Sequence, residues 1–130
     1  MLARIRVDGG DAVFAHWNVA DGPQLARSIE ATVAAFSGLH MLVNFAGIVH
    51  VGKLHEYDEE ACDYLIGVNA KAIFISLKYA VPHLLQNARS YVVNVASVSS
   101  LIGQGHTPAY TGLQAHGAGA DVLDRALLCN

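Results

Sequence analysis

Charge is scarce in this chain: of 130 residues, 15% are Asp, Glu, Lys or Arg, and the formal net charge is −3. No basic cluster is present to neutralise phosphates, so no nucleic-acid partner is expected. Cysteine is scarcer still. Cys62 and Cys129 are too few for a disulfide framework, and a reducing, cytoplasmic setting is expected. There is no Cys-x-x-Cys and no helical His-x-x-x-His pair, so the seven histidines read as scattered loop and surface residues with no metal. No apolar stretch follows Arg4 and Arg6; Asp8-Gly9-Gly10-Asp11 does, which is unlike a signal peptide. The most apolar stretch, Ala70–Leu85, is broken by Lys71 and Lys78. It falls short of the ~18 uninterrupted apolar residues that mark a membrane span, so no membrane partner is expected.

What the chain does have is apolar residues, 53% of the total, enough for one packed domain over residues 1–130. They fall into alternating strand and helix patterns. Ala12–Val19 reads as a short strand after a Gly-Gly turn. Asp21-Gly22-Pro23 opens a helix with an N-cap and a first-turn proline. Leu25, Ile29, Val33 and Phe36 carry that helix, and Gly38 ends it. His40–Asn44 reads as a buried strand. A long helix runs from Glu59 towards Leu85, with Leu65, Asn69, Ile73, Leu77 and Ala80 on one face. Tyr91–Val95 is a further buried strand, Ser97–Thr107 a loop, and Tyr110 begins a helix that reaches the C-terminus. Strand–helix alternation predicts an α/β fold with a parallel sheet covered by helices. Met1–Val7 looks like the tail of a helix.

Four local patterns follow one another in order. Asn44-Phe45-Ala46-Gly47-Ile48 ends the first buried strand, where small residues let backbone approach a ligand. Val68-Asn69-Ala70 lies inside the long helix. Val92-Val93-Asn94-Val95-Ala96-Ser97 carries a strand into a serine. Thr107-Pro108-Ala109-Tyr110 then starts a helix. Together they resemble the short-chain dehydrogenase/reductase family, over roughly Gly9 to Tyr110. The resemblance implies a Rossmann-like doubly wound sheet. It also implies hydride transfer between NAD or NADP and a small-molecule carbonyl or alcohol. In that scheme Tyr110 exchanges the proton, Ser97 holds the substrate oxygen and Asn69 supports a water relay. Asn44, Ala46, Gly47 and Tyr110 border the cofactor. Asn18 and Val19 stand where the family has Asp-Val near the adenine, although a strand-end turn accounts for Asn18 equally well. Family members associate through the long helix, so residues 59–85 are a candidate homo-oligomer surface.

The chain departs from the family in three places. No glycine-rich strand–turn–helix precedes the patterns above, so the cradle for a pyrophosphate is missing and the sheet is expected to be incomplete. Without the first strands, Ala12–Val19 is left unpaired, closes on His40–Asn44 or detaches. The family's Tyr-x-x-x-Lys reads Tyr110-Thr111-Gly112-Leu113-Gln114, which removes the cation that lowers a phenol pKa from about 10. After Tyr110, Gly112, Gly117 and Gly119 are poor helix residues where the family continues Ala-Ser-Lys. Gly-Leu-Gln can be encoded GGC-CTC-CAA, and dropping one base gives GCC-TCC-AA, the start of Ala-Ser-Lys. A single-base insertion near Thr111 accounts for that text. The competing expectation is therefore a non-catalytic remnant that acts at most as an interaction module.

Overall fold

The computed structural model describes residues 1–102 and 104–117. The expected run of the last helix to the C-terminus, Gly119 and Cys129 lie outside the described residues. Helix α1 spans Leu2–Val7 and α2 spans Gly22–Phe36. Strand β1 is Met41–Asn44, and β2 is Tyr91–Asn94. Between them, α3 (Glu59–Ile66) runs through a π-helical turn at Gly67–Lys71 into α4 (Ala72–Leu84). Helix α5 spans Pro108–Gly117.

β1 and β2 pair in parallel, with Met41 opposite Tyr91 and Asn44 opposite Asn94. Side chains alternate across the pleat. Leu42 and Val92 turn towards the helices and pack, with Leu39 and Tyr79, against buried Ile29, Ala80 and Leu84. Met41, Val43, Tyr91 and Val93 are exposed. Helices α2 and α4 also pack on each other. The arrangement is the parallel α/β class that the alternation predicts.

The strand expected over Ala12–Val19 is not formed; those residues take no strand pairing. Among the described residues β1 pairs only with β2. A strand exists only through its neighbour, so extended composition alone did not suffice here.

Asp21 caps α2 as its position predicts. Its carboxylate accepts the Gln24 backbone N–H at 3.0 Å and the Gln24 side-chain amide at 2.8 Å. These bonds, the backbone one foremost, hold the Asp21 carboxyl below the usual carboxylate range. A pKa lower in the folded chain contributes stability above the ordinary value of 3.8, and that stability is lost as pH falls through the folded value. Asp21→Ala is therefore expected to melt earlier than the parent at neutral pH, with the gap narrowing in acid below that value. An equal gap at both pH values in thermal unfolding would remove this role. The helix ends one residue before expectation, at Ser37, whose φ of 60° supplies the left-handed cap instead of Gly38.

The buried stripe of the long helix also differs from expectation. It is Leu65, Val68, Ala72, Ser76, Ala80 and Leu84, one position off the Asn69–Ile73–Leu77 line. Leu65, Val68 and Ala72 follow the ordinary 3.6-residue repeat, and the line drawn through Asn69, Ile73 and Leu77 runs ahead of it. Ala72, Ser76 and Ala80 are small, so α4 lies close to the sheet. Taken as one rod of 26 residues, Glu59–Leu84 is long and apolar enough to cross a bilayer by length and composition. The 70–85 stretch alone did not show that. Here its inner stripe serves as core.

Candidate active site

The two strands end side by side, and their last residues are tied together. The Asn44 side-chain amide donates to Asn94 Oδ1 at 2.8 Å. Ser76 Oγ, from α4 and 2% exposed, lies 2.8 Å from Asn44 Oδ1 and 2.8 Å from the Ile73 carbonyl. Three polar side chains from β1, β2 and α4 thus fix the rim from which both following loops depart. Asn94 and Ser76 were not singled out from the sequence. The available signal was that Asn94 interrupts an apolar strand at the same register as Asn44.

The loop after β1 is clasped from the long helix. Asn69 Oδ1 accepts the Ile48 backbone N–H at 2.8 Å, and Asn69 Nδ2 donates to the Ile48 carbonyl at 2.7 Å. A side-chain amide here imitates a backbone partner, answering a donor and an acceptor at once. Asn69 sits at the centre of the π turn, a widened turn of the kind that recurs at functional sites. A Cβ added at Gly47 would touch Asn69 Oδ1 at 3.6 Å, so loop and helix are in van der Waals range.

After β2, Ser97 caps a single 3-10 turn at Val98–Ser100. Its Oγ accepts the Ser99 N–H at 3.2 Å and lies 3.4 Å from Ser99 Oγ. Tyr110 lies in the first turn of α5. The Gly52 N–H donates to the His106 carbonyl at 2.8 Å, joining the loop after β1 to the approach to α5. On that same loop, partial burial, with Cys62 nearby, pushes the Tyr57 phenol above its ordinary value.

Ser97, Tyr110, Asn69, Asn44, Ala46 and Gly47 all line one cavity of about 290 Å³. Residues from β1, its loop, the long helix, the β2 exit and α5 therefore converge, although they are distant in sequence. A second cavity of about 290 Å³ adjoins it and shares Asn44, Phe45, Ala46 and Ile73; Val19 lines this one. Asn18 lines neither. Its Oδ1 accepts the Ala20 N–H at 3.0 Å, and its own N–H donates to Gln24 Oε1 at 3.1 Å, the local turn bonding of a residue leading into α2. Among the described residues lining the first cavity, none is Lys, Arg or His.

The sequence and the fold are similar to those of known proteins. The short chain dehydrogenase family profile matches residues 1–116. The 2,5-dichloro-2,5-cyclohexadiene-1,4-diol dehydrogenase LinX of Sphingobium indicum is 36% identical over 126 residues, 97% of this chain and 49% of that one. A 3-alpha-(or 20-beta)-hydroxysteroid dehydrogenase of Mycobacterium tuberculosis is 29% identical over 100 residues, 77% of this chain and 38% of that one. A short chain dehydrogenase/reductase from Burkholderia phymatum, solved in complex with NAD, superposes with a TM-score of 0.85 at 25% identity, covering 94% of this chain and 44% of that one. ElxO with NADP bound superposes with a TM-score of 0.75 at 28% identity, covering 83% and 44%. The chain thus spans about half the length, or less, of the relatives it matches. With the profile matched across nearly all its described residues and the fold shared with nicotinamide-bound structures, this chain belongs to the short-chain dehydrogenase family.

Proposed function

We propose that this chain carries the substrate-facing and nicotinamide-facing side of an NAD- or NADP-dependent oxidoreductase acting on a small carbonyl or alcohol. The convergence of Ser97, Tyr110 and Asn69 on one cavity bordered by Asn44, Ala46 and Gly47 carries this reading. The cavity, about 290 Å³, suits a single ring and a small substrate and is too small for a whole dinucleotide. Bound nicotinamide would supply or take up the hydride. The remaining work falls to side chains of this chain. Ser97 Oγ holds the substrate oxygen by a hydrogen bond. The Tyr110 hydroxyl gives that oxygen its proton in reduction and accepts it in oxidation. Asn69 acts by position: its amide is committed to Ile48, so a water relay at this residue runs through its backbone and not its side chain. Self-association through residues 59–85 belongs to the same proposal, with Tyr64 and Phe74 exposed along that helix.

Binding to the folded state raises its stability by RT ln(1 + [L]/Kd). NADH or NADPH at millimolar concentration is expected to raise the melting temperature of the chain, and Gly47→Val to abolish that rise. No shift with either nucleotide would leave the chain a non-catalytic member of the family. One observation favours that second reading: Gln114 stands where the family has lysine, and among the described residues no cation lines the cavity. A melting shift without any nucleotide oxidation or reduction would mark a site that binds and does not turn over.

A further inference from the structure

The cavity that Val19 lines is a groove along an unpaired strand edge. Met41, Leu42, Val43 and Asn44 line it in succession. Successive strand side chains point to opposite faces, so only a cavity beside the strand meets all four. The ladder shows which backbone groups face it. The Tyr91 N–H donates to the His40 carbonyl and the Val95 N–H to the Asn44 carbonyl, each at 2.9 Å, so the even-numbered residues of β1 bond to β2. Alternate residues of a parallel strand turn the other way, so Met41 and Val43 aim their N–H and C=O groups into the groove. Among the described residues β1 has no second neighbour to answer them. Leu25, Ser28, Ile29 and Thr32 of α2 form one helical face along the groove, and no described lining residue is charged. Bare backbone donors and acceptors beside such a face fit an extended, uncharged peptide strand. Ala12–Val19 supplies one. It has strand composition, holds no Asp, Glu, Lys or Arg, and takes no strand pairing. Its two ends are tied to their own chain. The Ala12 carbonyl accepts from Arg6 Nη2 at 3.4 Å, and the Arg27 guanidinium lies 5.9 Å from the Trp17 ring centre. Between them Val13–His16 are exposed, Val13 at 58% and Phe14 at 73%, four residues to match the four of β1. We infer that Val13–His16 of a second copy adds as a strand to β1 in this groove, so that the chain associates with itself segment to groove.

Sedimentation equilibrium tests this. The parent chain is expected to associate as its concentration rises. Phe14→Lys puts a charge on the segment. Met41→Pro deletes a groove-facing N–H and leaves the ladder to β2 intact, a position where a strand admits proline. Each variant alone is expected to stay monomeric. Their mixture is expected to form one-to-one pairs, because one keeps an intact groove and the other an intact segment. Phe74→Lys, at an exposed position of α4, is expected to associate like the parent. Should Met41→Pro lose the parent's far-ultraviolet circular dichroism, Thr32→Lys, which charges the wall of the groove, takes its place. A monomeric parent overturns the inference; Met41 and Val43 amides protected from hydrogen exchange in that monomer would show its own segment folded into the groove. A mixture that stays monomeric overturns it too. Association lost only in Phe74→Lys does the same and leaves residues 59–85 as the contact.

Discussion

Leu84→Ala is expected to destabilise the chain by about 2–5 kcal/mol, the usual result of emptying a buried leucine site. Leu84 is 1% exposed and forms one buried cluster with Ile29 and Ala80. The remaining neighbours, Leu39, Leu42, Tyr79 and Val92, are only partly buried, so little other packing can compensate. The local backbone depends on the same site. The Leu84 carbonyl accepts from Ser90 Oγ at 2.7 Å and from Asn87 Nδ2 at 3.2 Å, and those bonds lead the chain into β2. A small domain is stable by roughly 5–15 kcal/mol, so a loss of this size removes a large part of the total. Chemical denaturation should show an earlier transition of unchanged slope. Phe74→Ala is the control. Phe74 is 67% exposed on the same helix, and its removal is expected to stay within about 0.5 kcal/mol of the parent. Equal losses in the two variants would mean that the α2–α4–sheet cluster is not what holds the fold.

Local pattern made most of this fold legible. Asp21 announced α2 because capping is a short-range hydrogen bond that one residue type supplies well. β1 and β2 were visible as apolar runs, but the expectation that they are buried strands did not hold: one face packs on the helices, while Met41, Val43, Tyr91 and Val93 on the other are exposed. The failures share a cause: they depend on contacts that sequence neighbours do not make. Ala12–Val19 has strand composition and no partner. The helix stripe was drawn through Ile73 and Leu77 because they are apolar, yet small Ala72 and Ser76 face the sheet after the π turn. The candidate site was legible for a different reason. Ser97, Tyr110, Asn69 and Asn44 stood out as ordered text, and the cavity brings them together. The two partners of Asn44, Asn94 and Ser76, were passed over: Asn94 shares the strand position of Asn44, but a polar residue in an apolar run looks the same whether it is bonded or stray.

Asn69 offers the sharper test, because two variants separate shape from hydrogen bonding. Asn69→Leu keeps the volume and removes both bonds to Ile48, leaving one backbone donor and one acceptor without a partner. Each half-buried loss costs about 1–2 kcal/mol, so a total of roughly 2–4 kcal/mol is expected, at every pH. The loop from Asn44 to Ile48 would also be released, and with it the cofactor-induced melting shift. Asn69→Asp keeps an acceptor for the Ile48 N–H but sets a carboxylate oxygen against the Ile48 carbonyl, where an amide N–H now sits at 2.7 Å. That charged form is disfavoured in the folded chain, so the new carboxyl has a raised pKa there. Its penalty is full above the raised value and fades as pH falls towards the unfolded value of about 3.9, where a protonated oxygen can donate to the carbonyl. The Asp variant should therefore approach the parent in acid while the Leu variant does not. If both variants instead lose the same stability at neutral and acid pH, the amide fills space only, and the clasp that sets the cavity's floor must be sought elsewhere in the π turn.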